Sequence, residues 1–430
     1  MGKRVGVIGE KGREHALCKA LSESSGVDEV IAMPGSAGMR NVARPVHVVT
    51  TDYEAIHRCV IREKFDLVVI GPEEVLEADI AGRLRKEIGV PVFGPSATVA
   101  RLETSKIYGA EIAAAAKIPI PRFVVIENDG RLHASDISTL PLPCAVKADG
   151  PAGGKGVELC STYEEVNRAL ASLLKRFPAT ARRVLVQELL RGGEISLHAL
   201  SDGKLYLLIP PIRDYKRKSD EEGIPNGGGW GSAFPAYSKA YRNSLPSITS
   251  RILNPILDAI HEKEGEPFIG CFYPAYMAGR IIEWNCRFGD SEAQVILPCI
   301  DRDHSNFCEL ILVCATGRLK EIRSPVWRNG FAVCVVLASE GYPTSPPRKK
   351  YRIYGIEDVE AFDPDVHFLH AGTELYQGSF YAAGGRVGNI VAFAPTLAEA
   401  IQKTYEALKL VRFKGMQYRL NIGYDLLNVV

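Results

Sequence analysis

No hydrophobic run in the chain approaches the ~18 residues that a membrane-spanning helix needs, so no spanning helix and no membrane partner are expected. Net charge is nearly absent too. Lysine and arginine (52) almost balance aspartate and glutamate (51), leaving +1. Bulk charge therefore does not draw the chain to nucleic acid or to an acidic surface, although a local basic pocket for a small phosphate stays open. The ten cysteines include no CxxC pair. Scattered cysteines in a long chain read as reduced, mostly buried thiols and a cytoplasmic setting. Internal repeats and low-complexity tracts are lacking, and the cluster Gly227-Gly228-Gly229 is local. The opening MGKRVGVIGEKG has basic residues before an apolar run, but that run covers only Val5 to Ile8 and reads as a buried strand rather than a signal peptide.

What is present is ordinary globular composition, 46 % apolar and 24 % charged over 430 residues, enough for two to four domains. Up to about residue 100, short apolar runs (Val5–Ile8, Val46–Val49, Leu67–Ile70, Val90–Phe93) alternate with helical patterns (Glu14–Leu21, Tyr53–Arg62, Glu77–Lys86). That alternation predicts a parallel sheet flanked by helices, with ligands at the carboxyl ends of its strands. The loops there are Gly9-Glu10-Lys11-Gly12, Pro34 to Gly38 and Gly71-Pro72-Glu73. From about 105 to 325 longer strands and hairpins are predicted: Cys144–Lys147, Val184–Glu188, Glu194–Leu200, Leu205–Ile209, and a hairpin turning at Ala278-Gly279-Arg280. Strands near Ala332–Leu337 and Gly385–Phe393 follow. Capping boxes at Ser161-Thr162-Tyr163-Glu164 and Thr396-Leu397-Ala398-Glu399 open helices.

Three motifs carry chemistry. In Lys147-Ala148-Asp149-Gly150-Pro151-Ala152-Gly153-Gly154-Lys155-Gly156, a lysine ends a strand and a glycine-rich loop carries a second lysine. Backbone N–H groups freed by glycine and ammonium groups suit phosphate oxygens, and the spacing is not that of a Walker loop. In Gln187-Glu188-Leu189-Leu190-Arg191-Gly192-Gly193-Glu194, a strand end can present backbone groups to an adenine edge, with Leu190 as an apolar floor and Glu194 as an acceptor for ribose hydroxyls. In Glu283-Trp284-Asn285-Cys286-Arg287, alternation puts Glu283 and Asn285 on one strand face. Two oxygen ligands suit Mg²⁺, which keeps waters or phosphates in its remaining positions. The same spacing aligns Arg287 as a clamp for a phosphoryl or carboxylate group. A dinucleotide-dependent reductase is disfavoured because Gly9 and Gly12 lack the third glycine of that fingerprint.

These runs, with Gly12-Arg13-Glu14-His15-Ala16-Leu17, Phe93-Gly94-Pro95, Ser105-Lys106, Asn285-Cys286-Arg287-Phe288-Gly289-Asp290, His370-Ala371-Gly372-Thr373 and Gly384-Gly385-Arg386-Val387, resemble the phosphoribosylamine–glycine ligase (glycinamide ribonucleotide synthetase) family of ATP-grasp enzymes, from Val5 to Tyr424. The resemblance implies a multidomain α/β and α+β chain. It would have a Rossmann-like domain at 1–103, an ATP-grasp domain at 104–326 with a lid subdomain at about 122–192, and a small β-rich domain at 327–430. It implies an ATP-dependent ligase of purine biosynthesis that makes an amide through an acyl phosphate. The cofactor is Mg²⁺, with Mn²⁺ as a substitute, the partners are small-molecule substrates, and the assembly is a monomer or homodimer. Lys106, Lys147, Gly154, Lys155, Gly156, Glu188, Leu190 and Glu194 would bind ATP, and Glu283 with Asn285 the metal. Asp214, Lys216, Arg287 and Asp290 would surround the reacting groups. Gly9, Gly12, Arg13, Gly35, Ser36, Glu73, Asn226 and Trp230 would line the acceptor substrate.

The chain departs from the family mainly on the acceptor side. The usual Gly-Ser-Gly-Gly loop reads Gly9-Glu10-Lys11-Gly12, and an asparagine is replaced by Ser36. A histidine is replaced by Tyr215 and a methionine by Trp230, changes expected to reshape the pocket. A paralogous amide ligase with another acid or amine, for example in specialised nucleoside synthesis, is the alternative. A catalytically dead binding homologue is opposed by the retained lysine and metal positions. His15 reads as structural rather than as a base.

Overall fold

The computed structural model describes residues 2–429 apart from 138, 151, 153–155, 222–225, 237–246, 346 and 348. Its first layer is a parallel five-stranded sheet in the order Arg44–Pro45, Val27–Pro34, Lys3–Gly9, Leu67–Ile70, Val92–Phe93. Val5, Val7, Ile8 and the whole of Leu67–Ile70 are buried, as expected for strands covered by helices on both faces. The predicted strand Val46–Val49 does not form, and Val49 is exposed. The sheet is completed instead by Val27–Pro34, whose acidic start (Asp28, Glu29) interrupts the apolar pattern in the sequence. The expected helix Glu77–Lys86 is two helices, Glu73–Glu77 and Ile80–Glu87. They are broken at Asp79, which takes a left-handed conformation (φ +53°) and accepts a hydrogen bond from the Ala97 N–H at 2.8 Å.

An antiparallel four-stranded sheet follows, ordered Phe123–Glu127, Arg183–Glu188, Cys144–Ala148, Val157–Cys160. The helix Tyr163–Arg176 covers it with Val166, Ala169, Leu170 and Leu173. Its cap lies one residue later than expected: Thr162 accepts from the Glu165 N–H, and the Glu165 carboxylate reaches back to the Ser161 N–H. The cap at Thr396 and Glu399 forms as expected.

The central sheet has ten strands. Glu194–Ser196 pairs with Ile212–Asp214 on one side and Ile269–Met277 on the other, and Arg280–Asn285 pairs with Ile269–Met277. The predicted strand Glu194–Leu200 is split into Glu194–Ser196 and Ala199–Asp202. The hairpin turns at Ala278 and Gly279, both with positive φ, as a two-residue connection between right-twisted strands requires. Through Gly231–Phe234 the sheet continues into Phe331–Ala338, Arg386–Ala394 and Val366–His370. The carboxyl-terminal strands are thus built onto the same sheet that carries the central motifs.

Candidate active site

Register gathers the central cluster. Glu194 pairs directly with Asp214, Ser196 with Ala275, and Ala275 with Glu283, so these side chains emerge on one sheet face. Lys216 extends over that face. Its Nζ lies 2.7 Å from Asp214 Oδ2, 3.6 Å from Glu194 Oε1 and 3.9 Å from Glu283 Oε1. Burial opposes the Lys216 charge, but Asp214, Glu194 and Glu283 hold its ammonium well above the ordinary value. Burial pushes the Glu194 carboxyl up to about 8 despite Lys216. Glu194, assigned to ribose by resemblance, is thus grouped with Lys216 and Asp214, whereas Glu188 pairs with Arg280 at 2.9 Å.

A narrow cleft opens between the two antiparallel sheets, lined by Lys106, Lys147, Gln187, Glu283 and apolar residues including Leu185 and Ile282. Lys147 Nζ donates to Gln187 Oε1 (2.6 Å) and to the Ile282 carbonyl (3.0 Å). Burial lowers its pKa to about 8. Lys106 opens the helix Lys106–Ala115, which Asp149 tethers by accepting from Ser105 Oγ (2.8 Å) and the Ile107 N–H (3.1 Å). Gly154 and Lys155 lie outside the described residues. Gly156 is buried, and its carbonyl accepts from the Ala148 N–H. Leu190 is half-buried at the end of its strand.

Glu283 and Asn285 lie on the face predicted. Burial raises the Glu283 carboxyl, but Lys216, Lys106 and Lys147 together hold it below the usual range, so it is ionised. The Asn285 amide is buried with its Nδ2 unpartnered, so it is not committed to another protein group there. Among the described residues no cluster of three or more His, Cys, Asp or Glu forms a self-sufficient metal cage. One acid and one amide, with phosphate oxygens or waters to complete the shell, fit Mg²⁺.

Arg287 lies beyond the strand, which ends at Asn285, so the following loop and not strand alternation places it. It binds Glu73 (3.1 Å) and Glu103 (2.8 Å) and donates to the Phe288 carbonyl. Burial favours protonation of Glu73, but Arg287 and Arg13 reverse this and hold its carboxyl low. Glu103 had no role in the sequence reading, because a lone helical glutamate carries no signal. Glu14 also escaped it as a structural hub: a side chain at Gly9 or Gly71 would strike it within 2.3 Å, and it accepts from Arg13 Nε and the Lys11 N–H.

On the acceptor side, Asp290 is held by Arg386 (2.8 Å) and by Gln294. Arg386 also donates to the Gly228 carbonyl, and the Tyr342 hydroxyl accepts from the Gly228 N–H. Asn226 lies beside this loop in a bridge with Arg217. Trp230 is fully buried edge-on to Tyr342, with its Nε1 unpartnered. Tyr215 does not reshape the pocket as expected. Its ring lies in the carboxyl-terminal core, and its hydroxyl bonds Asp425 and the Gly423 N–H. Gly35 takes φ +66°, Ser36 Oγ is buried without a partner, and Glu10 is exposed. Gly12 abuts Gln294 and Asn389. His15 is structural, as read: its Nδ1 accepts the His370 N–H at 2.9 Å.

With this geometry in place, the family models decide the relationship. Those described as phosphoribosylglycinamide synthetase match at residues 3–103 (N domain), 104–293 (ATP-grasp domain) and 332–425 (C domain). The chain belongs to the phosphoribosylglycinamide synthetase family. The phosphoribosylamine–glycine ligase of Streptomyces coelicolor is 37% identical over 425 residues, covering 98% of each chain. That of Caulobacter vibrioides is 34% identical over 432 residues, covering 97% of each. The crystal structure of phosphoribosylamine–glycine ligase from Thermotoga maritima superposes with a TM-score of 0.81 at 30% identity, covering 97% of this chain and 100% of that one. A biotin carboxylase domain from Hydrogenobacter thermophilus, solved with MgADP, shares the fold alone (TM-score 0.70, 17% identity, covering 97% of this chain and 92% of that one). The family and the multidomain α/β architecture expected from the sequence are both borne out.

Proposed function

We propose that this chain is a phosphoribosylamine–glycine ligase of purine biosynthesis, acting in the cytoplasm with ATP and Mg²⁺ or Mn²⁺. The observation that carries the reading is the cleft between two antiparallel sheets where Lys106, Lys147 and Glu283 converge, in a chain matched end to end by ligases of that name. A carboxylate is a poor electrophile, so a glycine oxygen first attacks the γ-phosphorus of ATP. A C–O–P linkage forms and ADP leaves. The amine of phosphoribosylamine then attacks the carbonyl carbon, phosphate departs with the bonding electrons, and the nitrogen sheds a proton. Lys106 and Lys147 neutralise phosphate charge, and Glu188 to Leu190 present backbone to adenine. Glu283 and Asn285 hold the metal, which supplies charge neutralisation on phosphoryl oxygens. Lys216, Asp214, Arg287 and Asp290 surround the reacting groups. Catalysis is then positioning and electrostatics, without a covalent protein nucleophile.

In this reading the phosphoribosyl group lies at the strand ends formed by Gly9, Gly12, Arg13, Gly35, Ser36 and Glu73, near Asn226 and Trp230. The sheet of 123–188 serves as the lid, in a division at 1–103, 104–326 and 327–430. Closure excludes water from the acyl phosphate. The test is ADP release with glycine plus freshly generated phosphoribosylamine, omitting each in turn. Turnover that needs both supports the reading. Magnesium-dependent ATP binding with turnover only on another acid–amine pair transfers it to a paralogous ligase, and the buried Trp230 becomes the residue to exchange for methionine.

A further inference from the structure

Nearly every carboxylate around the site already has a cation. Asp214 is 2.7 Å from Lys216, Glu73 and Glu103 share Arg287, and Asp290 is held by Arg386. Glu283 faces Lys216 and the proposed metal position. Glu292 is the exception. It is 2 % exposed, makes no ion pair among the described residues, and accepts from neutral donors, Ser196 Oγ at 3.2 Å and its own backbone N–H. Ser196 shares a row with Ala275 and Glu283 on the reacting face. The carboxylate also needs Gly289, where a Cβ would come within 2.3 Å of its carbon. The helix that Glu292 opens, Glu292–Ile296, carries Gln294, which meets Gly12 at the phosphoribosyl side and donates to Asp290. Glu292 thus stands between the two halves of the proposed site, buried and without an ion-pair partner among the described residues.

We propose that Glu292 accepts the proton released by the attacking amine. As the C–N bond forms and the C–O bond to phosphate breaks, one N–H proton passes to a Glu292 carboxylate oxygen. The carboxylate becomes a neutral acid, and it returns the proton to solvent or to departing phosphate when the site reopens. This rests on the ligase reading above. The charged and titratable groups facing Glu292 are Asp214, Lys216 and Glu194 from the sheet, Arg287, Tyr273 and Cys271 beside it, and Arg386 and Cys334 from the carboxyl-terminal strands. Burial, and then Asp214, bring its carboxyl up to about 7, where a general base works best.

The test compares the wild-type chain with Glu292→Gln and Glu292→Asp for ATP binding, thermal stability and the pH profile of kcat. Glu292→Gln is expected to bind ATP normally while kcat falls ~10²-fold or more, with loss of the acid limb near pH 7. Glu292→Asp is expected to recover part of the rate and the limb. A Glu292→Gln profile matching wild type within a few-fold overturns the proposal. So does a loss of ATP binding and stability that Glu292→Asp does not relieve, which marks a structural role. Failure of the wild-type chain itself to join glycine and phosphoribosylamine is a separate outcome that overturns the ligase reading on which the role depends.

Discussion

The Arg287 guanidinium joins two carboxylates from different segments, Glu73 after the strand Leu67–Ile70 and Glu103 in the helix Ala97–Thr104. Its planar fork suits this bridging, which a point-charge ammonium reproduces poorly. Removing one partner of a buried pair leaves the others desolvated and uncompensated. Arg287→Ala is therefore expected to cost about 3–5 kcal/mol of folding stability, measured by urea denaturation, besides abolishing ligation. A loss below 1 kcal/mol would show that Glu73 and Glu103 do not need it. The sequence exposed Arg287 because it follows an acid–amide pair on a strand. It could not expose Glu103, since that contact is set by how a helix packs against a loop more than 180 residues later. Glu292 was hidden for the same reason: its meaning lies in what surrounds it and in the ion pair it does not make among the described residues.

The elements most legible in the sequence are those with strong periodicity or punctuation, namely Leu67–Ile70, the hairpin at Ala278-Gly279, and the helix capped by Thr396 and Glu399. The errors fell where local pattern and tertiary context disagree. Val46–Val49 reads as a strand in its apolar run, but the edge strand is Arg44–Pro45 and its pairing ends where the Val46 N–H donates to the Ala32 carbonyl, whereas Val27–Pro34 pairs on both sides despite its acidic start. Tyr215 was expected to reshape the pocket because it replaces a histidine of the family, yet just past the end of the strand Ile212–Asp214 its ring turns into the carboxyl-terminal core, with its hydroxyl on Asp425. One contact joins elements in a way that matters for nucleotide binding. Asp149, in the turn after Lys147, caps the helix that begins with Lys106. Asp149→Ala removes that cap and should cost about 1–2 kcal/mol. It should also weaken ATP binding, because Lys106 and Lys147, the lysines proposed to hold phosphate, lose their common anchor. Calorimetric titration with ATP checks this, and unchanged affinity in a destabilised variant would confine Asp149 to a structural part.

The molecule is closed by contacts between its first and last thirds. The carboxyl-terminal strand Val366–His370 donates its His370 N–H to His15 in the helix Gly12–Ser22, the two rings stack at 5.7 Å, and Gly38 has no side chain because the His370 ring occupies that space. His15 must therefore remain a neutral acceptor, and burial, followed by the neighbouring His370, lowers its pKa to about 3. The sign follows directly. The unfolded chain protonates this imidazole below about pH 6.5 while the folded chain does not, so unfolding takes up a proton and stability is lost as pH falls from there toward 3. Between pH 7 and pH 5 this single group is expected to remove about 2 kcal/mol. His15→Asn keeps an acceptor for the His370 N–H without a titrating ring. Its stability difference between pH 7 and pH 5 should be smaller than wild type by about that amount, measured by urea denaturation at both values. An equal pH dependence in the two proteins would mean that His15 protonates in the folded state and that the contact between the terminal thirds yields in acid. If the dependence shrinks as expected, the neutral imidazole is part of what holds the helix Gly12–Ser22 against the strand at the edge of the central sheet.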